Sequence, residues 1–145
     1  RVILVMIFVL GSIGCGAELL LLNHFESFLQ WIPLLLILLS FAVLPWHLIG
    51  RTPVSTRFLQ GAMIAFIAAG FVGFYLHYQG SAEFKLESNP SLGGWRLFWE
   101  AIRAKAPPAL APGAMIQLGL IGLAYTYKHP ALLAAPNTEF KDEGD

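Results

Sequence analysis

The run VILVMIFVLGSIGCGAELLLL, from Val2 to Leu22, contains one carboxyl group and no basic residue. About 20 such residues in a helix cross a hydrocarbon core of some 30 Å. Within hydrocarbon the backbone must satisfy its own hydrogen bonds, so a helix is the form this run can take. A secretory signal has a shorter apolar stretch, about 7–15 residues, ending at small residues. Here the apolar character continues past Cys15, and the ELLLL after the lipoprotein-like SIGC is wrong for an exposed, lipidated end. The segment reads as an uncleaved membrane helix.

Three more runs follow. The second spans about 31–49, with Pro33 and Pro45 inside it and Trp31 and Trp46 near its ends, where interface aromatics sit. The third spans 58–78, and the fourth about 111–128, closed by His129 and Pro130. The composition agrees: 57% of the residues are hydrophobic and 12% charged, against about 25% charged in a typical soluble domain. The expected fold is an all-α integral membrane protein with four transmembrane helices in an antiparallel bundle. Residues 1–135 form that domain, and 136–145 a short acidic tail.

The segment between spans three and four, 79–110, is the sizeable extramembrane part. AEFKLE, 82–87, alternates apolar and charged residues and predicts an extended piece. NPSLGG is a turn cluster. In WRLFWEAIRAK, Trp95, Phe98, Trp99 and Ile102 follow helical spacing, with Arg96, Glu100 and Arg103 opposite. That pattern predicts an interfacial amphipathic helix over about 92–105, acting as an anchor, a partner contact or a lid.

Four spans put both termini on one side. Arg1, Arg51, Arg57 and Lys128 gather there, which places the termini and loop 50–57 in the cytoplasm and loop 79–110 outside it. Lys85, Arg96, Arg103 and Lys105 weigh against this orientation. The expected location is a bacterial plasma (inner) membrane. Net charge is zero, which removes the electrostatic case for nucleic-acid binding.

Helices in lipid associate through small residues. Span one offers Gly11, Ser12, Gly14, Gly16 and Ala17; span three Ala65, Ala69 and Gly73; span four Gly119 and Gly122. Spans one, three and four are expected to pack closely, leaving span two facing lipid or a partner.

Ionisable residues inside a membrane are functional candidates. Glu18 lies one turn from the end of span one. His24 follows it, His77 ends span three, and Gln117 enters span four from the same side. These four are expected to converge, with Cys15 one turn deeper. They suggest a quinone or other amphipathic ligand between Glu18, His77 and Gln117. A haem on His24 and His77, or zinc on His24, Glu26 and His77, is a weaker alternative. His47 and His129 fall at the opposite end and read as ordinary juxtamembrane groups. The sequence has no P-loop, CxxC or HExxH motif, so no catalytic residues and no metal site are assigned. No cofactor is required by the sequence, although bound lipid and quinone are compatible with it. The first expectation is an accessory or structural subunit, with other integral membrane subunits and lipids as partners and Trp95 and Trp99 as contact candidates. The second is a quinone- or small-molecule-binding component of a redox or transport system.

Overall fold

The computed structural model describes residues 1–103 and 110–133. They form six helices: α1 (Val2–Leu21), α2 (Phe28–Gly50), α3 (Pro53–Ser88), α4 (Gly94–Ile102), α5 (Leu110–Thr126) and α6 (Pro130–Leu133). The protein is an all-α bundle in which α1, α2 and α3 are long and apolar enough to cross a membrane. The shorter α5 is also apolar.

Helices α1, α2, α3 and α5 pack side by side in the order α2, α3, α5, α1, and α1 also touches α2 lightly. The direction alternates. The Arg1 side chain bonds to the carbonyls of Tyr127 and Lys128, so the start of α1 lies beside the end of α5. The α2–α3 turn reaches the same end, where His47 bonds to both Ser55 and Tyr125.

The tightest seam is α3 against α5. A Cβ on Gly119 would lie 2.6 Å from the Met63 carbonyl, and one on Gly70 would lie 2.7 Å from the Pro112 carbonyl. Met63, wholly buried, lies across Gly122. Only hydrogen side chains allow these backbones so close, and the small-residue rule thus places Gly119 and Gly122 correctly. On α3, however, the intimate contact falls on Gly70 rather than on Ala65 and Ala69, which line a cavity. Helix α2 also packs on α3, at one end of the row, so close packing is not confined to α1, α3 and α5.

The ends of the helices differ from expectation for local reasons. Helix α2 starts at Phe28, before Trp31, because the Gln30 side chain reaches back to the amides of Glu26 (2.7 Å) and Ser27 (3.1 Å). Thr52 caps α3: its hydroxyl accepts from the Ser55 amide, and Pro53 supplies the first helical residue.

Helix α3 continues past Tyr78 to Ser88, so AEFKLE is helical, not extended. Ala, Glu, Lys and Leu favour a helix, and α4 packs on this stretch. Asn89 then precedes Pro90, which disfavours further helix. The 36 residues of α3 make it about 54 Å long, so it extends well beyond a hydrocarbon core.

Helix α4 docks on that extension. Ala101 is fully buried, Phe98 packs against Tyr78, and Lys85 pairs with Glu100 at 3.1 Å. The docked face centres on Ala101, so Trp95 and Trp99 project outward, stacked on each other. Residues 104–105 of the expected amphipathic helix and the 136–145 tail lie outside the described residues.

Candidate functional site

At the end opposite Arg1, α1, α2, α3 and α5 border an open-sided cavity of about 540 Å³. That lies within the range of roughly 300–1,000 Å³ for small-molecule pockets. Cys15 and Leu19 form the α1 wall, Pro33 and Leu36 the α2 wall, Ala65, Ala69 and Gly73 the α3 wall, and Pro112 and Met115 the α5 wall. The polar lining gathers at one end: His24, Ser27, Gln30 and His77. Among the described residues, no Asp, Glu, Lys or Arg lines it.

The end of α1 delivers His24 to the cavity. Asn23 takes a left-handed conformation (φ 53°), which asparagine tolerates. Its amide bonds to the Leu20 carbonyl (3.1 Å) and that of His24 to the Leu19 carbonyl (2.9 Å). This is a Schellman closure. It turns the chain back so that His24 meets His77 of α3, with ring centroids 5.8 Å apart and planes 17° from parallel. Burial, and then His77 beside it, hold the His24 pKa below the ordinary imidazole value.

Pro33 adds a backbone feature. It has no N–H to give the carbonyl of Leu29, and both residues line the cavity.

The other expected members of the site lie elsewhere. The buried stripe of α1 is Phe8, Ser12, Cys15 and Leu19. Glu18 falls beside this stripe and is exposed, and Gln117 is exposed on α5. Neither lines the cavity, so the expected convergence of Glu18, His77 and Gln117 reduces to His24 with His77. Among the described residues no set of three His, Cys, Asp or Glu is placed to hold a metal ion, so Glu26 does not complete a zinc site with the two histidines. No described residue of α4 lines the cavity, which removes the support for α4 as a lid. Trp95 and Trp99 remain exposed.

A second polar cluster lies at the Arg1 end, where sequence reasoning saw only juxtamembrane groups. His47 is fully buried and His129 nearly so. The hydroxyls of Ser55 and Thr56 both donate to the Thr52 carbonyl, at 3.0 and 2.8 Å. They are therefore acceptors toward His47 Nδ1, at 3.3 and 3.4 Å. The network assigns the proton of neutral His47 to Nδ1, so Tyr125 donates its hydroxyl to Nε2 at 3.2 Å. The His129 ring packs edge-on against His47, centroids 4.8 Å apart. Its pKa is held down by burial first, then by Arg1 and Arg51. Helix α5 ends at Thr126 and Lys128 is left-handed (φ 47°), so the turn after the helix, not helical spacing, brings His129 to Tyr125.

Fold and composition together define a small all-α membrane-spanning protein. No family model, curated protein or solved structure matches the chain.

Proposed function

We propose that this protein binds an amphipathic small molecule between its helices and serves a membrane redox or transport system. The carrying observation is the cavity: apolar along its walls, with neutral polar groups collected at one end. A molecule with a polar head and an apolar body matches that division. In this reading α5 is a fourth span. Its 17 residues give about 26 Å, close to a hydrocarbon core, so it stands with little tilt. The His24 end faces away from the cytoplasm, a placement supported by Arg1, Arg51, Arg57 and Lys128 at the other end.

The test is to purify the whole chain in mild detergent and identify retained small molecules by native mass spectrometry. Ala69→Phe fills the cavity and is expected to abolish retention while the helical circular dichroism persists. A wild-type chain that neither retains nor takes up an amphiphile overturns the reading.

Glu18 favours a second role, as an accessory subunit of a larger complex. Its carboxyl is exposed on α1 near Leu20 and Leu21, both exposed. Polar groups facing lipid are costly, and a polar group on a partner helix would relieve that cost. Co-purification of a partner that Glu18→Leu releases supports this role. Isolation from native membranes as a partner-free monomer overturns it.

A further inference from the structure

We infer that the molecule taken up by the cavity is an isoprenoid quinone, with its ring at His24 and His77 and its tail along the apolar walls of α1, α2 and α3. The inference rests on the ligand-binding reading above and specifies its chemistry.

Charge is the first argument. A phospholipid head brings a phosphate, which a Lys or Arg beside it would pair. Among the described lining residues there is no Lys or Arg to pair it, and no Asp or Glu to pair a cationic head. His24 is also held toward its neutral form by burial and by His77. The head that fits is uncharged.

The second argument is hydrogen-bonding capacity. A neutral imidazole offers one donor and one acceptor. The Gln30 amide oxygen is engaged by backbone amides, which leaves its NH₂ to donate. The same end of the cavity thus serves a ring carbonyl, which accepts, and a ring hydroxyl, which donates. Those are the oxidised and reduced forms of a quinone. Two nearly parallel imidazoles provide flat faces beside a flat ring.

The third argument is access. Leu29, Val72 and Leu76 line the cavity and are still 51%, 52% and 38% exposed. Its apolar rim therefore lies on the outer surface of the bundle. In a membrane that rim faces lipid, the phase in which isoprenoid quinones dissolve.

The test uses the purified full chain in detergent. Decylubiquinone and menaquinone-4 are titrated by isothermal calorimetry, and phosphatidylglycerol is the competitor. Bound lipids are also extracted and quantified per chain. Saturable binding of one quinone per chain is expected. His77→Ala and His24→Ala should each weaken it at least tenfold, and Gln117→Leu should leave it unchanged. Ala69→Phe should remove it.

Quinone binding unaffected by both histidine variants overturns the head placement and the inference with it. A stoichiometric phospholipid that Ala69→Phe displaces, with no quinone bound, overturns the quinone while sparing the cavity as a site. Absence of any ligand overturns both readings. The histidine variants act at the rim, outside the packed core, so they decide the matter even where Ala69→Phe fails to fold.

Discussion

His47 Nε2 lies 3.2 Å from the Tyr125 hydroxyl, a buried bond that joins α2 to α5 through residues 78 apart in the chain. With Ser55 and Thr56 on the other ring nitrogen, it ties α2, the first turn of α3 and the last turn of α5 together. Tyr125→Phe keeps the ring and removes the donor, which leaves a buried nitrogen lone pair unsatisfied. Such a loss costs about 1–3 kcal/mol. Thermal unfolding in a fixed detergent should register it as a lower Tm. A double-mutant cycle with His47→Leu should return a coupling of about 0.5–3 kcal/mol. Additive effects would remove the bond as a tie between these helices.

The α3–α5 seam gives a contrast between two glycines. At Gly119 a methyl group would meet the Met63 carbonyl at 2.6 Å and the Ile67 side chain at the same distance. Backbone cannot yield as a flexible side-chain tip does, so Gly119→Ala forces the helices apart. Overpacking of this kind costs about 1–3 kcal/mol. Gly61 on α3 has nothing within 4 Å of such a methyl. Gly61→Ala should therefore stabilise by roughly 0.5–1 kcal/mol through helix propensity. Melting curves of the two variants should move in opposite directions.

The sequence encodes part of this packing. Run lengths against bilayer thickness located the helices, and glycine spacing located part of their closest seam. Rotation about each helix axis was much less legible. A helix in water shows its buried face by hydrophobic periodicity, but α1 and α2 are apolar on every side. Hence Glu18 was expected inward and is exposed, while His47 was expected at the surface and is fully buried. His24 and His77 were legible as neighbours because both end a span at the same level. The cavity was not, because it depends on four helices leaving a gap. AEFKLE had a strand-like pattern, and docking of α4 decided it for helix.

Acid should loosen the protein at both ends. His24 and His129 both have pKa values below 6.5 in the folded chain, chiefly through burial. In the unfolded chain they return to about 6.5. Just below that pH the unfolded state binds more protons than the folded one, so stability falls as pH falls. Their full contribution is present above pH 6.5 and is lost as pH drops through the folded values. A Tm series from pH 8 to pH 5 should decline below about 6.5, and less steeply in His129→Gln. At that end the nearby titratable and charged groups are His47, Tyr125, Arg1 and Arg51. A profile identical in wild type and His129→Gln would remove His129 as a source of the decline.

Glu18 separates a fold determinant from a contact surface. The side chain is exposed and makes no described hydrogen bond or ion pair within the chain. Glu18→Leu should therefore shift the stability of the purified chain by no more than about 0.5 kcal/mol. Its effect should appear in native membranes, where the proposed partner would be lost from the purified complex. Glu18→Gln keeps the shape and hydrogen-bonding capacity but removes the charge. Retained assembly in Glu18→Gln with loss in Glu18→Leu would assign the contact to a hydrogen bond. Loss in both would assign it to an ion pair with a basic residue on the partner. A marked fall in the Tm of the isolated Glu18→Leu chain would instead make the carboxyl a support of this bundle, and the subunit contact would lose its basis.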